Sequence, residues 1–271
     1  MPELPEVETV RRVLSNSILN LKIIDIDVRY PNIIEDDIDY FKNNIINKSI
    51  KSIDRLGKFL IFNLDDGAFI SHLRMEGKYY YLEKGSIDNK HIHVVFHFDN
   101  GYSLYYQDVR KFGRMIYKNS DEIYETKPLK DVGIDPILNK KIDYRNIYDK
   151  IVLRSVSIKT TLLDQSIICG LGNIYVDEVL FLSKINPHRL SHDIKYDEVV
   201  SIVDNTVKVL SKAIEYKGTT IKSYTSSLNV YGEYQQFLNV HTKTICPVCH
   251  SPLLKDKING RSTYYCKICE V

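Results

Sequence analysis

Cys246 and Cys249 form one Cys-x-x-Cys pair and Cys266 and Cys269 form a second, with sixteen residues between the pairs. This is the spacing of a tetrahedral four-thiolate zinc site, with two knuckles on a hairpin. Four thiolates leave no coordination position open, so one structural zinc ion is expected and no chemistry at the metal. Disulfides are the rival reading, and a cytosolic chain disfavours them. Arg261 lies between the knuckles in INGRSTYYC, where a hairpin tip would fall, and suits contact with a phosphate. The fifth cysteine, Cys169, is expected to act as a small buried hydrophobe.

At the other end the chain opens MPELPEVETV. Pro5 suits a first helical position, and carboxylates in a first turn face the positive end of the helix dipole. A helix from Pro5 to about Leu14 follows, and it accounts for Glu6 and Glu8 but not for Pro2 or Glu3. Two further groups could do chemistry. His91, His93 and His97 share one face if HIHVVFHF is a strand. No carboxylate completes a metal site there, so a polar strand face touching phosphate is the expectation. In CGLGNIYVDE, glycines and an asparagine precede a helix whose free N–H groups can hold an anion; the plainer reading is a loop with an Asn N-cap.

Short alternating runs must position these residues over the first half of the chain: LKIIDIDVRY, GKFLIFNL, GAFISHL, HIHVVFHF and GYSLYYQ. Asp65-Asp66-Gly67 and Asn100-Gly101 punctuate them, the latter as a two-residue hairpin turn. An antiparallel sandwich or barrel up to about Tyr117 is expected. From about Asp131 the period becomes helical, through YRNIYDKIVLRS, GNIYVDEVLFLSKI and a long helix closed by Gly218. A polar stretch from Thr219 to about Val240 then leads to the cysteine-rich tail. The chain has 271 residues, 27% charged and 44% hydrophobic, an ordinary globular composition. Net charge is only +2, but Arg110, Lys111, Arg114 and Lys118 against Asp108 make DVRKFGRMIYK locally basic, and the tail from Phe237 is basic as well. Such clusters fit a protein that meets a polyanion on one face. No apolar run reaches membrane-spanning length and the first residues carry no secretory signal, so a cytoplasmic protein is expected.

PELPEVE, RLGKFL, HLRMEGKY, DVRKFG, GLGNIYVDE and the terminal cysteine pairs occur in this order along essentially the whole chain. In this the sequence resembles the formamidopyrimidine-DNA glycosylase family. The resemblance implies an α+β, two-lobed protein. An N-terminal β-sandwich with an N-terminal helix (1–130) is followed by a helix–two-turns–helix domain (131–225) and a zinc finger (236–271). It implies a monomer that associates with DNA in the nucleoid and acts on double-stranded DNA holding an oxidised base or an abasic site. Oxidised purines, 8-oxoguanine and formamidopyrimidines, would be excised and the strand nicked by β,δ-elimination.

The resemblance also implies site residues. Once Met1 is trimmed, Pro2 offers a secondary amine as nucleophile. An α-amino group has a reference pKa near ~8, so a useful fraction is neutral at physiological pH. Glu3 matches the proton donor, Lys58 the lysine that assists base departure and β-elimination, and Arg261 the finger arginine of phosphate binding and δ-elimination. Met75, Arg110 and Phe112 match the trio that fills the hole left by the flipped base, Phe112 as wedge and Arg110 on the orphaned cytosine. His91, Lys159 and Asn173 fall where the family holds phosphates, with Arg154 a further candidate. Two departures bear on lesion preference: His241-Thr242-Lys243 stands where relatives have Tyr-Gly-Arg, and SSLNVYGEYQQF lacks the usual Asp-Gly pair. The alternatives are an endonuclease VIII-type enzyme for oxidised pyrimidines and a non-catalytic zinc-dependent binder of damaged DNA.

Overall fold

A computed structural model describes residues 1–219 and 232–271. The chain divides into two compact units, Met1–Lys130 with Lys217–Glu233, and Asp131–Tyr216 with Tyr234–Val271. The helical segment and the cysteine-rich tail therefore fall in one unit.

In the first unit, helix α1 (Leu4–Ile18) precedes strand β1 (Ile23–Val28), helix α2 (Ile38–Ile45) and strands β2 (Ser52–Leu56), β3 (Phe59–Asn63) and β4 (Ala68–His72). Strands β5 (Lys78–Glu83), β6 (Ile92–Phe98), β7 (Tyr102–Gln107) and β8 (Arg114–Lys118) follow. They form two four-stranded antiparallel sheets, ordered β1-β6-β7-β5 and β2-β3-β4-β8. The expected sandwich is present, because alternate residues of each strand meet in one core. Phe69 of β4 stacks on Phe62 at 4.3 Å and on Phe96 of the other sheet at 4.9 Å, joining the two layers. Helix α1 starts one residue before the expected Pro5 and runs four beyond Leu14, because Val7, Val10, Leu14 and Ile18 keep a helical apolar stripe in that core.

The second unit holds helices α3 (Tyr144–Val152), α4 (Ile158–Leu162), α5 (Asn173–Ser183) and α6 (Tyr196–Glu215), and the hairpin β9 (Leu254–Ile258) and β10 (Arg261–Tyr265). Gly172, not Asn173, is the N-cap of α5, and Asn173 is its first residue. Helix α6 ends before Gly218: Tyr216 is its C-cap and Lys217 takes the left-handed conformation at φ +60°. The glycine is needed for a different reason, a close approach described below. Cys169 is fully buried, as expected. No helix among the described residues is long and apolar enough to cross a membrane. Of SSLNVYGEYQQF, the segment without the Asp-Gly pair, residues 226–231 lie outside the described residues.

Candidate active site and metal centre

Pro2 and Glu3 are buried at the mouth of α1, and Glu3 is its N-cap. Glu6, one turn in, reaches back so that one carboxylate oxygen accepts the Glu3 N–H at 2.8 Å. Its other oxygen accepts the N–H of Thr219 at 2.8 Å and the Thr219 hydroxyl at 3.3 Å. A Cβ on Gly218 would sit 2.4 Å from that oxygen, so only glycine lets the segment come this close. The first turn of α1 is thus fixed on two sides by one carboxylate, which sequence reading assigned only to the helix dipole.

Lys58 sits on the two-residue turn between β2 and β3, where Leu56 pairs with Phe59. Gly57 has φ +56° while Lys58 does not take a positive φ, the signature of a type II′ turn with glycine first. Lys58 is 5% exposed. The preceding Arg55 is buried as well; its Nε donates to Glu8 of α1 at 3.1 Å and its Nη1 donates to the Gly57 carbonyl at 3.1 Å. Glu8 also accepts from Arg11 and from Arg12, each at 2.8 Å. Burial alone would raise the Glu8 pKa, but hydrogen bonds from Arg11 and Arg12 and the charges of Arg11 and Arg55 outweigh it and bring it down to about 2. His72, at the end of β4, is lowered to about 3 by burial, with the Arg74 and Lys58 charges adding to it. Its Nδ1 accepts the Arg74 N–H at 2.9 Å, as a neutral ring can.

Two loops present the expected hole-filling residues. Asp108, fully buried, accepts the N–H groups of Arg110, Phe112 and Gly113 at 2.8–2.9 Å. That cage turns the loop so that Phe112 is 46% exposed, an apolar ring held in solvent, with the Arg110 guanidinium 4.8 Å from its centre. The other loop runs Leu73–Gly77, closed by the Gly77 N–H donating to the Leu73 carbonyl, with Met75 half-buried. Gly77 and Gly113 both press on Tyr106: a Cβ would lie 2.4 Å and 1.7 Å from its hydroxyl oxygen. The two motif glycines therefore dock both loops on one buried tyrosine.

The histidines do not form the expected common face. A bulge between Ile92 and Val94 breaks the alternation at His93. His93 is buried and its Nε2 donates to the Asp108 carbonyl, His97 lies 2.8 Å from the Ser103 hydroxyl, and His91 precedes β6.

In the second unit, Asn259-Gly260 is a two-residue turn with both φ positive, and Arg261 follows it, exposed, as the first residue of β10. The four cysteine sulfurs lie within 4.8 Å of one another; Cys246–Cys269 is 3.8 Å and Cys249–Cys266 is 3.4 Å. Tetrahedral thiolates about 2.3 Å from zinc stand about 3.8 Å apart, so the residues fit the ion. Among the described residues this is the only such group of three or more metal-ligand side chains.

Arg154 is half exposed and pairs with Asp164 at 2.9 Å, and the Asn173 amide donates to the Ser262 carbonyl at 2.8 Å. Lys159 stands apart from the other expected phosphate ligands. It is 0% exposed, and its ammonium donates to Asp177 at 2.7 Å, to the Thr263 hydroxyl at 2.9 Å and to the Ser262 carbonyl at 3.0 Å. The structure places this cation inside, as a tie between α4, α5 and β10. The other Asp177 oxygen accepts from His241 Nδ1 at 2.8 Å and from the Tyr264 N–H at 3.2 Å. Glu178 accepts the N–H groups of Asn239, Val240 and His241. His241, the departure from Tyr-Gly-Arg, is thus a buried partner of α5.

Asp108 stands inside a motif already singled out, and an aspartate ahead of a glycine-closed turn is a readable signal. Glu8, Arg55, Asp177 and Glu178 also stand inside quoted motifs, but their pairings with Arg55, Glu8, Lys159 and the Asn239–His241 backbone lie far apart in sequence and no local signal marks them. An N-terminal Pro-Glu pair on a β-sandwich with a turn lysine, in one chain with a helical unit and a four-thiol finger, is the arrangement that the resemblance to the glycosylase family implies. The Formamidopyrimidine-DNA glycosylase N-terminal domain model matches residues 1–115 and the Formamidopyrimidine-DNA glycosylase H2TH domain model matches residues 132–225. A Streptococcus mutans formamidopyrimidine-DNA glycosylase is 43% identical, covering 100% of this chain and 99% of the relative. The Mycoplasma genitalium protein of the same name is 41% identical over 100% of this chain and 96% of its own. The solved complex of Lactococcus lactis Fpg with abasic-site DNA superposes with a TM-score of 0.92 at 38% identity, over 99% of both chains. This chain belongs to the formamidopyrimidine-DNA glycosylase family.

Proposed function

We propose that this chain excises oxidised purines from duplex DNA and then cuts the abasic strand, with the amine of Pro2 as nucleophile. The observation that carries the reading is the mouth of α1: Pro2 and Glu3 are buried there in the same unit as the Lys58 turn. With Met1 removed, the Pro2 nitrogen is a secondary amine. Its attack on the sugar C1′ expels the base and forms an iminium, an electron sink that acidifies the C2′ proton and permits elimination of the 3′ phosphate. Glu3 supplies the proton to the departing base or opening sugar ring. Lys58 assists base departure and β-elimination, and Arg261 binds phosphate for δ-elimination. The lesion is read out of the stack, Met75, Arg110 and Phe112 taking its place. His91, Arg154 and Asn173 contact phosphates. Lys159 acts from within, by holding β10.

One structural zinc ion held by Cys246, Cys249, Cys266 and Cys269 would supply cross-linking and no reaction step. Its effect is to fold the β9–β10 hairpin and so fix Arg261. The partner is damaged double-stranded DNA: related Lactococcus lactis structures hold DNA that contains Fapy-dG or an abasic site. The pyrimidine-specific and non-catalytic readings have no observation in their favour.

Borohydride reduction during turnover of an 8-oxoguanine duplex tests the mechanism. One covalent protein–DNA species is expected, with the sugar mapped to Pro2, and none from protein retaining Met1, whose Pro2 nitrogen is an amide. A sugar mapped to Lys58 would overturn the assignment of the nucleophile.

A further inference from the structure

The motifs carry Pro2, Glu3 and Lys58, but no motif says how α1 and the β2–β3 turn are held in one geometry. The Arg55 guanidinium supplies a direct link between the helix and the turn. Arg55 Nε donates to Glu8 on α1, two turns from Pro2, and Arg55 Nη1 donates to the carbonyl of Gly57, one end of the peptide that leads into Lys58. In a two-residue hairpin turn that central peptide is the element free to flip, since types I′ and II′ differ by its orientation while the strands stay in register. A flip would push Lys58 toward positive φ and swing its side chain. Glu8 is itself clamped by Arg11 and Arg12, and Arg11 Nη1 donates to the Ile53 carbonyl of β2 at 3.2 Å. Three arginines donate to one nearly buried carboxylate, and two of them, Arg55 and Arg11, bind the helix to the strand.

We propose that Glu8 and Arg55 are positioning residues of the active site: their ion pair locks the Gly57–Lys58 peptide against the helix that carries Pro2 and Glu3. The proposal rests on the reading of Pro2 and Lys58 given above. A planar guanidinium can serve Glu8 and the carbonyl at once in a fixed fork, and an ammonium cannot. Arg55→Lys therefore keeps the charge and the pairing with Glu8 but releases the turn. Glu8→Gln reads the same link from the helix side and keeps the shape of its side chain.

The test is single-turnover cutting of a preformed abasic duplex at saturating enzyme. It is paired with affinity for a tetrahydrofuran-containing duplex, which cannot be cut by elimination. Leu14→Ala, in the core stripe of the same helix, serves as a destabilised control. Arg55→Lys is expected to slow elimination roughly ten- to hundredfold, as a small misplacement of a catalytic group does. Affinity should change by no more than about twofold, and Glu8→Gln should slow elimination in the same direction. Leu14→Ala should lower the melting temperature without slowing the folded fraction. Wild-type elimination rates in Arg55→Lys and Glu8→Gln, or an equal loss in Leu14→Ala at matched folded fraction, would overturn the brace. Wild-type protein that does not cut would instead overturn the function on which it rests.

Discussion

Glu8→Gln should cost stability at neutral pH and little in acid. The carboxylate midpoint moves from 4.5 to about 2 on folding, so the folded pKa is depressed. The stabilisation is then fully present above about pH 5 and is lost as the pH falls from 4.5 through the folded value. At ~1.4 kcal/mol for each tenfold change in proton concentration, the movement has a ceiling of about 3 kcal/mol. Arg12 is more than half exposed and Arg11 about a quarter exposed, so solvent screens part of it. About 2 kcal/mol is the expected loss. In a unit of this size that lowers the melting midpoint by about 4–8 °C. The assay is the melting midpoint of the wild type and Glu8→Gln from pH 7.5 down to pH 3. The gap between the two curves should begin to narrow below about pH 4.5 and be roughly halved by pH 3, since the folded value lies near 2. His72, buried neutral, also loses the folded state stability as pH falls below 6.5, but it does so in both proteins and cancels from the gap. A gap that stays constant down to pH 3 would refute the ionised Glu8 cluster.

Cys249→Ser should lower bound zinc, measured by atomic absorption, and weaken DNA binding together, because the ion folds the hairpin that bears Arg261; full zinc occupancy would sink the four-thiolate site. Lys159→Met should destabilise the second unit by about 3 kcal/mol, since it leaves Asp177 buried with only His241 and the Tyr264 N–H. The salt dependence of DNA binding should be unchanged in that variant at matched folded fraction; a slope reduced by about one would mean that Lys159 meets a phosphate directly.

Elements with strong local signals were legible in the sequence. The Asn100-Gly101 turn, the strand runs and the helical periods each depend on residues a few positions apart, and so do the two cysteine pairs. The limits of α1 and the start of α5 shifted because core packing and glycine capping override local propensity at helix ends. His93 was misplaced onto a shared strand face because a bulge, invisible in an alternating run, breaks the period. At the site, the side chains proposed to meet substrate stand in short motifs and could be named. Those that hold them could not: Glu8 and Arg55 are 47 residues apart, Lys159 and Thr263 are 104 apart, and Glu6 and Thr219 are 213 apart.

Lys159 shows what this difference means for reading charge. A basic residue in a family motif reads as a phosphate ligand whenever the partner is DNA, because sequence does not distinguish an outward ammonium from an inward one. Here Asp177, one helix away, gives the ammonium an inward partner: the carboxylate at the buried face of α5 holds Lys159, which also donates to Ser262 and Thr263 of β10. The same arrangement holds in the first unit, where Glu8 draws in Arg55, while the Asp108 carboxylate is occupied by backbone N–H groups and Arg110 stays exposed. In each unit a buried acid takes a basic residue as a strut, Glu8 holding Arg55 and Asp177 holding Lys159.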